Sequence, residues 1–150
     1  MILYRITNAK YAKDFSGIGA RLYGGRWNSE GYSAVYLASS RSLAILESLV
    51  HIVPTNVPDE LVLLTIETPD DYAEIDEGSL PPDWKDESKS RILQYIGNSF
   101  LQRNEHLLLK VPSVIVPEEY NYLMNPLHPK ANKVKIAKTD PFNFDERLLE

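Results

Sequence analysis

A chain of 150 residues with 43% apolar, 25% charged and 10% aromatic side chains has the make-up of one folded domain, and this excludes collagen-like, low-complexity and disordered classes. The complete absence of cysteine excludes disulfides, thiolate zinc sites, iron–sulfur clusters and a cysteine nucleophile. The formal net charge of -5 hides an uneven distribution: residues 59–87 carry eleven acids against Lys85 alone, while the rest of the chain carries fifteen bases and ten acids.

In chain order, ILYRIT (2–7) is apolar and β-rich and predicts a first strand. Residues 8–32 are polar and spotted with five glycines, which predicts a long loop; loops of that length inside a compact domain usually bind something. SAVYLA (33–38) predicts a short buried strand, and Ser39 or Ser40 is placed to cap a following helix. RSLAILESLVHIV (41–53) is the best helix candidate, ending before Pro54 and, from its seven Leu, Ile and Val side chains, buried on most sides. Its narrow polar arc holds Glu47 and, one turn on, His51.

ELVLLTIE (60–67) predicts a strand, followed by an irregular acidic stretch through Pro82. Residues 86–105 show helical spacing, with Gly97 as a weak point. LLLKV and SVIV, on either side of Pro112, read as bent strand material, NKVKIA (132–137) as another strand, and FDERLL as a final short helix or turn. The expected class is α+β: a single compact domain spanning 1–150 with a mixed, mainly antiparallel sheet.

Several residues have the chemistry of a site. In GGRWNSEG (24–31) two glycines permit close backbone approach, Arg26 can fork onto phosphate oxygens and Trp27 can stack on a flat ring; a tight turn with a surface arginine and a buried tryptophan has the same letters. Arg5 lies inside an apolar strand, facing either solvent or a cavity. Tyr36 is either a packing residue or a ring against a ligand. Glu47 is a solvated carboxylate paired with His51 or, facing a cleft, a group able to stabilise an oxocarbenium charge and hold ribose hydroxyls. Ser113 lacks a G-x-S-x-G elbow, so a hydrogen-bonding role suits it better than an acyl-transfer triad. Asn125 sits between prolines in NPLHP, where it can bond its own backbone in a rigid turn.

No apolar run approaches the roughly 18–20 residues of a membrane span, and the first residues lack the order of a signal peptide, so a cytoplasmic location without membrane association is expected. A sequence pI of about 5.2 without a basic face argues against direct nucleic-acid binding. With three scattered histidines and no calcium-loop pattern, no metal is expected. Outside its acidic stretch the chain is mildly basic, which suits a small anion such as a phosphorylated metabolite, although a solvated acidic edge explains the same charges.

Taken together, YRI (4–6), GGRWNSEG, VYLASS (35–40), AILESLVH (44–51), VPSVIVP (111–117) and NYLMNPLHP (121–129) resemble the RES-domain family over nearly the whole chain. The arginine, glutamate and serine for which that family is named match Arg26, Glu47 and Ser113. The resemblance implies an ADP-ribosyltransferase-like fold and a type II toxin–antitoxin toxin that depletes NAD⁺ by cleaving the nicotinamide–ribose bond. NAD⁺ would then be the substrate, not a bound cofactor, with water or inorganic phosphate as acceptor. It also implies an Xre-type antitoxin partner and a homodimer. On that reading Glu47 and Arg26 are catalytic, and Arg5, Arg26, Trp27, Tyr36, Ser113 and Asn125 hold NAD⁺. The alternatives are a protein ADP-ribosyltransferase and a non-catalytic nucleotide- or partner-binding module.

Overall fold

In the computed structural model, which describes residues 1–150, the chain runs β1 (Ile2–Asn8), α1 (Ile18–Tyr23), β2 (Val35–Ala38), α2 (Arg41–Leu49), β3 (Leu61–Glu67), β4 (Tyr72–Glu74), α3 (Ser90–Arg103), β5 (Leu108–Pro112), β6 (Tyr120–Met124) and β7 (Lys135–Phe142), with short 3₁₀ turns between them. The seven strands form one sheet in the order β4-β5-β6-β2-β1-β3-β7. Every adjacent pair is antiparallel except β4 with β5, so the α+β class and the mixed, mainly antiparallel sheet are as expected.

The junction at the centre of the sheet is its weakest. β1 pairs with β3 through all seven of its residues and β2 with β6 through all four, but β1 and β2 pair only at Tyr4 and Ala38. Beyond that pair the two strands diverge, and the sheet behaves as two half-sheets hinged at one point. Alternation along the strands separates two apolar layers. Leu3, Val35, Leu37, Leu64, Tyr122 and Met124 share one face. On the other, Leu109, Val111 and Leu123 pack beneath Trp27, Trp84 and the α3 residues Leu93 and Leu101, while Tyr4, Ile6 and Ala38 pack beneath Leu43 and Ala44 of α2.

Several expectations are corrected. Residues 8–32 are not one loop: they contain a 3₁₀ turn at Ala9–Tyr11, capped by the Asn8 side chain, and helix α1. Ser40 caps α2 by accepting from the Leu43 N–H, but the helix ends at Leu49 and buries only Leu43 and Ala44. Val50 and Val53, past the last residue of α2, are more than half exposed. α3 starts at Ser90, since Asp86 caps a separate 3₁₀ turn ahead of it. SVIV is not a strand: the Ile115 and Val116 amides turn inward to the Ser113 hydroxyl. β6 was not anticipated, and β7 begins at Lys135 because a 3₁₀ turn occupies Pro129–Lys133. No helix is long and apolar enough to cross a membrane.

The acidic stretch is accounted for mainly by turns and surface pairs. Asp76 and Asp86 cap 3₁₀ turns, Asp83 pairs with Lys89 and Glu74 with Lys110. Asp71 bonds His106 Nδ1 at 2.7 Å and Lys130 Nζ at 3.1 Å, tying the starts of β4 and β5 to the turn before β7. The His106 hydrogen bond, followed by Lys130, holds the Asp71 carboxyl down at about 2. That is below the ordinary value of 3.8, so the clasp stabilises the fold fully above about pH 4 and loses its contribution as pH falls towards 2. Chemical denaturation of wild type and Asp71→Asn between pH 6 and pH 2.5 should show a stability gap that narrows towards the lower end; a gap independent of pH would mean the carboxylate charge is not used.

Gly97 is no weak point. It is buried, and a Cβ there would overlap the Trp27 carbonyl oxygen, so α3 packs directly on the backbone of the 24–31 segment. Gly97→Ala is therefore expected to cost about 2 kcal/mol or more by overpacking, although alanine is the better helix former. Thermal melting should register this as a Tm lowered by at least about 5 °C.

Candidate functional site

Where β1 and β2 separate, the structure opens a cavity of about 1200 Å³. Arg5, Ile6 and Thr7 line it from β1 and Val35, Tyr36 and Leu37 from β2. α2 contributes Glu47 and Ser48, followed by His51, and α3 contributes Gln94. The 24–27 segment brings Gly25, Arg26 and Trp27 to the same wall. Glu47, Arg5, Arg26 and Tyr36 thus reach one cavity from four separate parts of the chain.

Glu47 is half-buried and is not paired with His51. The helix ends at Leu49, so the one-turn spacing that would have aligned the two side chains does not continue to His51, which is exposed. Instead Glu47 Oε1 accepts from Ser113 Oγ at 2.8 Å and from Asn121 Nδ2 at 2.7 Å, and Oε2 has no protein partner. Ser113 is buried behind the carboxylate, just past β5. Its oxygen accepts from the Ile115 and Val116 amides, each at 3.1 Å, which leaves its proton for Glu47.

The two arginines are separate from this carboxylate and from each other. Arg5 Nη1 donates to the Asp14 carbonyl at 3.1 Å and the guanidinium lies over the Phe15 ring. Burial pulls its pKa below the ordinary guanidinium value, opposed by the charge of Asp14. Arg26 Nη1 reaches only the Lys85 carbonyl at 3.5 Å. Neither forms an ion pair with Glu47, so most of their donors stay available to an anion in the cavity.

Tyr36 and the 24–31 segment form a single polar unit. The Tyr36 hydroxyl donates to Asn28 Oδ1 at 2.6 Å and accepts from the Trp27 amide at 3.0 Å, and burial pushes its phenol above the ordinary pKa. Asn28, fully buried, spends its Nδ2 on the carbonyls of Ala20, Ser29 and Tyr32. Gly25 is required by this unit, since a Cβ there would sit 2.6 Å from the Tyr36 hydroxyl. Gln94 and Asn98 bond Gly25 and Ser29, fastening the segment to α3.

Two residues are placed differently from the expectation. Trp27 borders the cavity but is only 3% exposed, and its indole packs at 6.4 Å from Trp84 in the core, not as a free stacking surface. Asn125 lines a different, smaller cavity; its Nδ2 donates to Leu101 O and Asn104 Oδ1, and its Oδ1 accepts from the Leu127 amide, so it holds the turn together. Asn121, Asn28 and Gln94 were missed. The NYLMNPLHP segment contained Asn121, but only the pairing of β6 with β2 brings it to Glu47.

A carboxylate with one free oxygen and two arginines with spare donors share one cavity on a split, mainly antiparallel sheet, an arrangement chemically able to take up an anion and sugar hydroxyls. The model of the RES domain matches residues 2–145, so the chain belongs to the RES-domain family. A Sphingobium sp. protein named Prs ADP-ribosylating toxin is 43% identical over 142 residues, covering 92% of this chain and 88% of that protein. Toxin Res of Photorhabdus laumondii is 40% identical over 153 residues, covering 100% of this chain and 98% of that protein. Toxin Res of Pseudomonas putida is 43% identical over 151 residues, covering 99% and 100%. The chain stands among RES-domain toxins. In fold it is similar to a chain of the M. tuberculosis MbcT–MbcA toxin–antitoxin complex, with a TM-score of 0.76 at 20% identity, covering 99% of this chain and 86% of that one.

The Tyr36 hydroxyl is tested by Tyr36→Phe, which keeps the ring and strands the Trp27 amide and Asn28 Oδ1. The expected loss is about 1–3 kcal/mol. Hydrogen exchange should accelerate at the Trp27 amide; unchanged protection there would show that the hydroxyl does not hold the segment.

Proposed function

We propose that this chain is the toxin of a toxin–antitoxin pair and depletes NAD⁺ by cleaving its nicotinamide–ribose bond. The observation that carries this reading is the Glu47 carboxylate, tethered through Oε1 with Oε2 free, in a cavity that two guanidiniums with spare donors also reach. The nicotinamide of NAD⁺ is cationic and departs as a neutral molecule when the C1′–N bond breaks, taking the bonding pair, so no acid is needed to protonate it. The protein has to hold the substrate and stabilise positive charge developing on the ribose.

In this reading Glu47 Oε2 accepts from ribose hydroxyls and faces the oxocarbenium-like transition state. Arg5 and Arg26 take the pyrophosphate, the Tyr36 ring lies beside nicotinamide or its ribose, and Ser113 acts from behind by orienting Glu47. Water or inorganic phosphate then bonds to C1′ and gives up a proton, yielding ADP-ribose or its 1″-phosphate. NAD⁺ is a substrate here and no bound cofactor is invoked.

The partner in this proposal is an antitoxin, of the Xre type that the family resemblance implies, and the working unit is a homodimer in the cytoplasm. For the antitoxin alone, support comes from the MbcT–MbcA structure, itself a toxin–antitoxin complex. Ile18, Leu22, Tyr23 and Val50 are also exposed beside the cavity, a concentration of apolar surface that protein partners commonly cover. A second reading, transfer of ADP-ribose to a protein, is favoured by the name of the Sphingobium relative. There the nucleophile at C1′ is a side chain instead of water.

Purified protein incubated with NAD⁺, with and without phosphate, should release nicotinamide; NAD⁺ left intact at high protein concentration would end the proposal. Glu47→Gln keeps an acceptor for Ser113 and Asn121 but removes the charge, and should lower kcat by about 10²–10³-fold with an unchanged melting curve. Labelled NAD⁺ added to cell extract separates the two readings, since free ADP-ribose supports hydrolysis and labelled protein supports transfer.

A further inference from the structure

Glu47 Oε1 has two donors, and their geometry gives the second a purpose. Asn121 lies on β6, opposite Ala38 of β2 and Val111 of β5, so its backbone is fixed by ladders on both edges. Ala38 is small and buried, which leaves the space through which the Asn121 side chain reaches α2. The Ser113 hydroxyl, with both lone pairs spent on backbone amides, can aim its proton only at Oε1. One such bond still lets the carboxylate pivot about the tethered oxygen. A second from a different strand, 2.7 Å away, removes that freedom. Asn121 Oδ1 has no protein partner, so the amide is not held in place by any other bond that would explain it.

We infer that Asn121 is a positioning residue: with Ser113 it clamps Oε1 of Glu47 and so presents Oε2 to the substrate. This rests on the role proposed above for Glu47, but the clamp itself is a structural claim that is testable without substrate. Removing the amide leaves the β6 ladder intact, so the effect falls on the orientation of one carboxylate and not on the fold. In Asn121→Asp the donor becomes a carboxyl against Oε1, and two such groups at this distance share one proton. With the proton present, the introduced carboxyl donates as the asparagine did; once it is lost, the pair repels.

The test uses the full chain as wild type, N121A and N121D. In N121A, kcat for nicotinamide release should fall about 10–100-fold, KM should change less than about threefold and the melting temperature should hold. N121D should be rescued towards wild type at low pH and lose activity as pH rises, a limb absent from wild type and N121A. The other charged or titratable groups on the cavity wall, Arg5, Asp14, Arg26, His51 and Glu87 with the tyrosines at 4, 11, 23 and 36, are common to all three proteins, so a limb unique to N121D belongs to the new pair. A crystal structure of N121A should show the Glu47 carboxylate turned away from its present position or divided between conformers. Glu47 unmoved in that structure, or N121D with a wild-type pH profile, overturns the inference. If wild type leaves NAD⁺ intact, the proposed function fails, and the Glu47 conformation in N121A still decides the clamp.

Discussion

A single residue pair, Tyr4 opposite Ala38, joins the two halves of the sheet. Each half is continuously paired within itself, and between them β1 and β2 diverge, leaving backbone edges and side chains of both strands around a hollow. A fully laddered sheet would have closed that space, because adjacent strands lie only about 4.8 Å apart. The cavity follows from the pairing that is missing, and the elements that flank it are those whose side chains reach into it: α2 over the hinge, α3 on one side and the 24–31 segment between them.

The second constraint is the way charge is kept available. A carboxylate and two guanidiniums in one cavity would ordinarily neutralise one another, and a collapsed ion pair would have little left for a ligand. Here Glu47 is satisfied on one oxygen by neutral donors, and each arginine is steadied through a single N–H to a backbone carbonyl. The charges stay apart and partly unspent. Their rigidity comes from hydrogen bonds among neutral groups: Ser113 and Asn121 hold Glu47, and the Tyr36 hydroxyl, bonded to Asn28 and the Trp27 amide, holds the segment that carries Arg26. The absence of a Cβ at Gly97 lets α3 sit against that segment.

Much of the fold was legible. β1, β2 and β3 are apolar runs bounded by breakers, Ser40 is a side-chain cap in the expected place, and the acidic composition of 59–87 goes into turns and surface pairs. The errors share a cause. SVIV has the composition of a strand, but Ser113 competes for its amides; in β6 the apolar Leu123 shares a face with the polar Asn121, so the strand offers no clean alternation. The apolar circumference of α2 suggests burial, whereas part of it is exposed surface next to the cavity.

The sequence by itself determined the class of fold and the absence of thiol chemistry, and it singled out Arg5, Arg26, Tyr36 and Glu47, which line one cavity, and Ser113, which bonds Glu47, because side-chain chemistry and local periodicity are written residue by residue. Only the tertiary structure decided that Glu47 answers to Ser113 and Asn121, 66 and 74 positions away, and not to His51, four positions away. It also placed Trp27 in the core and Asn125 in a separate turn. Those outcomes depend on strand register and on where a helix stops, and both are settled by long-range packing that no local pattern encodes.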